Sequence, residues 1–81
     1  MKVKVLYFSS IRDRVKKREE LLEIPDDATV SYLTGILKQL YPGISEVIDR
    51  VMIAVNEEYV NAETKLKEGD IIAIIPPVSG G

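Results

Sequence analysis

Apolar and polar residues alternate from Lys2 to Phe8, with Val3, Val5 and Tyr7 on one side and Lys2, Lys4, Leu6 and Phe8 on the other. A period of two with β-branched residues predicts a strand. The pattern loosens from Ser9 to Lys17, where Ile11 and Val15 stand four apart, and the segment reads as a single helical turn or a loop. Glu19 to Ile24 reads as a second strand, ended by the turn residues Pro25-Asp26-Asp27. Thr29 can cap the next element, its hydroxyl accepting from amides of a helix's first turn. Val30, Leu33, Ile36, Leu37, Leu40 and Tyr41 then recur at spacings of three and four, one apolar stripe of an amphipathic helix, and Pro42-Gly43 ends it. Ile44 to Asp49 is expected to add a short extra turn. Val51 to Val55 reads as a third strand, followed by Asn56-Glu57-Glu58 as a hairpin turn into Tyr59-Val60. Leu66 is expected to plug the core, Gly69-Asp70 to turn tightly, and Ile71 to Ile75 to form an uninterrupted apolar strand.

The predicted order is β-β-α-β-β-β. A five-residue apolar run suggests a central strand buried on both faces, commonly with a parallel neighbour. Placing the first and last strands side by side and parallel, with the helix across one face, describes an α+β fold of the β-grasp, ubiquitin-like kind with a mixed sheet of about five strands. Eighty-one residues leave room for one domain only. It is expected to occupy residues 1–75, with residues 76–81 as an extended diglycine tail. One Phe, four Tyr and no Trp require an aliphatic core.

Composition narrows the chemistry. There is no cysteine and no histidine, which removes disulfides, thiolate nucleophiles, the usual zinc sites and imidazole acid–base catalysis. Five Ser and three Thr remain, with nothing nearby in sequence to activate them. The chain is poorly equipped to be an enzyme alone. A net charge of −2 argues against nucleic acid as the partner. The charge is lopsided: Met1–Leu40 holds eight Lys/Arg and six Asp/Glu, a net of +2, and Tyr41–Gly81 holds three and seven, a net of −4. The second half could face a basic partner or simply present a solvated surface. Arg12, Arg14, Lys16, Lys17 and Arg18 cluster, but Asp13, Glu19 and Glu20 partly neutralise them. Lys2 and Lys4 interrupt any signal-peptide pattern, and no apolar stretch approaches the roughly 20 residues of a membrane span. A cytoplasmic protein without membrane contact is expected.

Two features ask for more than a core. The first is the ending Pro76-Pro77-Val78-Ser79-Gly80-Gly81. Prolines cannot donate to a ladder and hold a chain extended. Beyond them the side chains shrink to glycine, so the thread could enter a narrow channel of another protein with its terminal carbonyl open to attack. A terminal Gly-Gly by itself equally describes a frayed end. The second is surplus apolar surface: with Val3, Val5 and Tyr7 toward the helix, Leu6 and Phe8 lie on the opposite sheet face, joined by one of the alternating sets of Ile71–Ile75. Nothing left in the chain is long enough to cover that face, which reads as a binding surface.

Ser9-Ser10-Ile11-Arg12 after the first strand, the Thr29-Val30 helix start, Val55-Asn56, Gly69-Asp70 and the closing six residues together resemble the small subunit of molybdopterin synthase, the MoaD family, over the whole chain. Ser9 departs from the Ala often found there. The resemblance implies a sulfur carrier. An ATP-dependent adenylating enzyme of the ubiquitin-activating type would convert the Gly81 carboxylate to an acyl-adenylate, and a sulfurtransferase or persulfide donor would leave a thiocarboxylate on it. Pro76, Pro77, Val78, Ser79 and Gly80 would then insert with Gly81 into the synthase large subunit. That delivers sulfur to cyclic pyranopterin monophosphate, two rounds building the dithiolene of molybdopterin. By the same likeness Phe8, Tyr59 and Ile75 sit in the interface with the large subunit, two small subunits flank a dimer of large ones, and this chain binds no metal or cofactor of its own, ATP being used by the activating enzyme.

Three other readings share the tail. One is a carrier for thiamine, tRNA or amino-acid sulfur chemistry. Another is a protein modifier joined through Gly81 to target lysines, and the last is a β-grasp interaction module whose tail is idle.

Overall fold

In the computed structural model, which describes residues 1–77, the elements run β1 (Lys2–Tyr7), α1 (Ser9–Val15), β2 (Glu19–Glu23), α2 (Val30–Leu40), β3 (Met52–Val55), β4 (Glu58–Val60) and β5 (Ile71–Ile75), with a 3₁₀ turn at Pro42–Ile44. They build one five-stranded sheet in the order β2-β1-β5-β3-β4. β1 and β5 pair in parallel at its centre, Val5 opposite Ile72 and Tyr7 opposite Ile74, and every other pairing is antiparallel. The α+β, ubiquitin-like architecture expected from the pattern is therefore present.

Alternation decides which face is covered. Val3, Val5 and Tyr7 of β1, Ile72 and Ile74 of β5 and Ile53 of β3 are all buried, and they meet Val30, Leu33 and Leu37 of α2. Thr29 caps α2 as the sequence suggests, its hydroxyl accepting from the Tyr32 amide at 3.2 Å. Pro42 then stands at the first position of the 3₁₀ turn, where its missing N–H costs nothing. The expected extra turn follows, with Ile48 N–H donating to the Ile44 carbonyl at 2.9 Å and both isoleucines buried. Leu66 is buried as well, its N–H held by the Ala28 carbonyl at 2.8 Å.

Two expectations change. β5 is central but buried on one face only, with Ile72 and Ile74 inward and Ile71 exposed, because both helices pack on the same side of the sheet. Ser9–Val15 is neither a loop nor a lone turn but a helix of seven residues, so the order is β-α-β-α-β-β-β. Ile11 and Val15, one turn apart, bury completely or nearly so beside the 3₁₀ turn and the ends of β1 and β5. Lys16, left-handed at φ 66°, closes the helix by donating its N–H to the Arg12 carbonyl at 2.7 Å. The helix is too short to persist alone, and tertiary burial of two side chains holds it. Among the described residues, no helix is long and apolar enough to cross a membrane.

Candidate functional site: an uncovered apolar face at the root of the tail

The helices cover one face of the sheet, and the strand registers show what the other presents. Tyr59 of β4 lies opposite Ala54 of β3, Ala54 opposite Ala73 of β5, and Ala73 opposite Leu6 of β1, a row running across four strands. Beside it Met52 lies opposite Ile75, and on the other side Ile71 lies opposite Lys4, itself opposite Leu21. Tyr59 is 69% exposed, Ile71 43%, Phe8 42% and Met52 39%, while Ile75 is half-buried. Large apolar side chains at these exposures, neighbours on one face, form a patch rather than scattered tolerance. A groove of about 490 Å³ lies within it, lined by Leu6, Phe8, Ile71 and Ala73, with Asn56 and Glu57 at its rim.

Phe8, Tyr59 and Ile75, the three residues expected at a partner interface, thus share the uncovered face. Sequence reasoning missed Met52 and Leu21. Counting alternately from Ile53 would have placed Met52 outward, whereas Leu21 depends on the register of β2. β5 runs between β1 and β3, so the tail leaves the sheet at its centre. Pro76 is half-buried and Pro77 exposed where the chain departs. Val78, Ser79, Gly80 and Gly81, the expected reactive end, lie outside the described residues.

The helix-covered side holds the one dense polar cluster among the described residues, and it is chemically quiet. Glu20 accepts from the hydroxyls of Tyr7 at 2.6 Å and Tyr41 at 2.5 Å, and from the Lys17 ammonium at 2.9 Å, which also reaches the Tyr41 hydroxyl at 3.0 Å. The two rings meet edge to face with centroids 6.1 Å apart. Burial alone would raise the Glu20 carboxyl, but hydrogen bonds from Tyr41, Tyr7 and Lys17 override it and hold the group below its ordinary value. Burial first, then Glu20, pushes both tyrosine hydroxyls up. Hydrogen bonds to Tyr41 and Glu20 raise Lys17. At neutral pH the cluster is an anion, a cation and two neutral phenols, each partnered, and it braces the end of α2 against β2. No buried side-chain polar atom among the described residues lacks a partner, and no group of acidic residues there could hold a metal.

Residues 5–81 match the ThiS family. Across its full length the chain is 39% identical to the molybdopterin synthase sulfur carrier subunit of Chlamydomonas reinhardtii, covering all of that protein. It resembles a chain of the complex of subunits 1 and 2 of molybdopterin-converting factor from Helicobacter pylori, with 32% identity, a TM-score of 0.73 and full coverage of both chains. The small archaeal modifier protein 1 of Methanosarcina acetivorans is similar in fold, at 28% identity and a TM-score of 0.85 over 99% of this chain and 96% of that one. By sequence and by fold, the chain belongs to the ThiS family, alongside molybdopterin synthase sulfur carrier subunits.

Proposed function

We propose that this chain is the sulfur-carrying subunit of a molybdopterin synthase, working as a reagent that is charged, consumed and recharged. The observation that carries the reading is that the uncovered apolar face and the root of the glycine-ended tail meet at Ile75, the last residue of the central strand. One device docks and the other delivers. The full-length kinship with sulfur carrier subunits supports the same reading.

The chemistry follows from the tail. A carboxylate is a poor electrophile, so an activating enzyme first joins the Gly81 carboxylate to ATP, releasing pyrophosphate and leaving an acyl-adenylate. The terminal sulfur of a persulfide attacks the acyl carbon and AMP leaves with the bonding pair. A thiol reductant then cleaves the S–S bond of the resulting acyl disulfide, and the sulfur stays on Gly81 as a thiocarboxylate. The apolar face seats the chain on a large subunit, the tail enters that subunit's site, and sulfur passes to cyclic pyranopterin monophosphate. Water returns the carboxylate. Two rounds supply the two sulfurs of the dithiolene. Any imidazole or thiol group used in these steps belongs to the partners, since this chain has neither histidine nor cysteine.

The test is the intact mass of the protein after reaction with its activating enzyme, ATP and a persulfide donor, beside a Gly81 deletion. A shift equal to one oxygen exchanged for sulfur, absent from the deletion, is expected. No shift with an activating enzyme proven competent on another carrier overturns the proposal. The likeness to a small archaeal modifier protein favours a second reading, conjugation through Gly81 to lysines. High-molecular-weight conjugates that disappear with Gly81 would mark it.

A further inference from the structure

The turn joining β3 to β4 consists of Asn56 and Glu57, both at positive φ, 51° and 72°. A two-residue hairpin of this hand suits Asn followed by Gly, because glycine alone takes the second position without a Cβ clash. Asn tolerates the left-handed region, whereas a glutamate there is strained. The turn is also held tightly. Asn56 donates its backbone N–H to the Ile71 carbonyl at 2.8 Å and accepts the Ile71 N–H on its side-chain oxygen at 3.0 Å. Its Nδ2 donates to Asp70 at 2.9 Å, and Asp70 is itself buried and accepts the Lys67 N–H at 2.8 Å.

Glu57 is thus held where a glycine would be more comfortable. It borders the apolar groove beside Leu6, Phe8, Ile71 and Ala73, the only charged residue there, and it forms no ion pair among the described residues. Its neighbour Glu58 belongs elsewhere: it lies opposite Val55 in the ladder and borders a separate pocket with Lys65 and Lys67. A strained turn that persists beside a docking face, carrying a carboxylate with no ion pair among the described residues, is the kind of backbone strain that clusters at functional contacts.

We propose that Glu57 determines partner specificity, its carboxylate pairing with a lysine or arginine that the large subunit presents at the edge of the apolar patch. The inference rests on the docking role given to that face above. A charge at the rim acts mainly on encounter rate and on rejection of wrong partners, and it does so more strongly at low salt. The net charge of −4 on the second half of the chain has the sign such encounter needs.

Association with the purified large subunit would be timed for the wild type, Glu57→Gln, Glu57→Gly and Glu58→Gln at low salt and at about 0.5 M salt. Glu57→Gln should slow association about three-fold or more at low salt, with the difference closing at high salt. Glu58→Gln changes the net charge equally and should associate like the wild type. Glu57→Gly should show the same slowing while its Tm rises by about 4 °C, because the strain is relieved. Equal slowing by the two glutamine variants would reduce the effect to net charge, and wild-type association by Glu57→Gln would remove it; either overturns the inference and leaves the docking role standing. Failure of the wild type itself to bind the large subunit would instead overturn the docking role, and this inference with it.

Discussion

Tyr7 and Phe8 are adjacent in the chain and lie on opposite faces of the sheet, so the same substitution at each should produce opposite failures. Phe8 is 42% exposed. Full burial of a phenylalanine contributes about 1.5–3 kcal/mol, so the part Phe8 hides within its own chain is worth about 1–2 kcal/mol. Phe8→Asp leaves its carboxylate at the surface, where it remains hydrated. A domain with a stability of about 5–15 kcal/mol survives that loss, with a Tm lower by roughly 4–16 °C. In the complex the account reverses. Removing an aromatic anchor from an interface costs about 2–4 kcal/mol, and the new carboxylate must also be desolvated against apolar neighbours. Together these weaken the affinity by at least about 100-fold. Tyr7 is 2% exposed and packs in the core. Tyr7→Asp removes about 3–5 kcal/mol of packing and buries a charge, and the variant should not fold. Thermal unfolding followed by circular dichroism, with titration calorimetry against the large subunit, separates the two cases. A Tm loss above about 20 °C for Phe8→Asp would place Phe8 in the core. A folded variant of undiminished affinity would show that this face does not dock.

Three further outcomes are expected. Deleting Gly81 should abolish sulfur transfer to the pterin precursor yet leave affinity for the large subunit within about two-fold, because hot-spot energy lies in the patch; a large loss of affinity would join the two devices into one. Thr29→Ala should cost about 1 kcal/mol and lower Tm by about 4–8 °C through loss of the hydroxyl that accepts the Tyr32 amide, and an unchanged Tm would deny the cap. Glu20→Gln should destabilise by a pH-dependent amount. The Glu20 carboxyl is lowered in the folded chain, so its contribution is complete above the unfolded value of about 4.3 and disappears as pH falls through the folded one. Denaturant midpoints of wild type and variant should therefore differ most near neutrality and converge as pH falls well below the unfolded value; a constant difference would refute the assigned charge state.

The strands were legible because a period of two needs no partner to be read. Val3, Val5 and Tyr7 identify one face of β1, and the unbroken Ile71–Ile75 run identifies the central strand and its parallel partner, although only Ile72 and Ile74 are buried and Ile71 stands exposed on the uncovered face. The helical state of Ser9–Val15 was not legible. Two apolar positions and no side-chain cap leave helix and loop nearly equal in local energy, and the burial of Ile11 and Val15 among distant elements makes the choice. The Glu20 cluster was hidden for a related reason. Its hydrogen-bonded pairs are 3 to 24 residues apart, and only the pairing of β1 with β2 and the docking of the end of α2 bring them together. Glu57 was read as part of a turn. That it borders the same groove as Phe8 follows from the return of the hairpin over the start of β5, fixed by reciprocal hydrogen bonds between Asn56 and Ile71 and by one donated from Asn56 to Asp70.

The position of β5 also limits what the tail can reach. A chain leaving an edge strand could swing away from the sheet, but this one leaves between β1 and β3, flanked by Leu6, Ala54 and Met52 on the uncovered face. Any partner that covers that face fixes the position of Ile75, and with it the start of the tail. Residues 76–81 span at most about 20 Å when fully extended, and each proline removes one rotatable backbone angle at the start. A docked partner must therefore hold its acceptor site within about 20 Å of the surface that covers Ile75. Insertions just before Pro76 should retain docking while making delivery less efficient, since the added residues loosen the one geometric link between the patch and the terminal carboxylate. On the proposed function the uncovered face and the tail would work as a ruler as well as an anchor, with β5 the element that joins them.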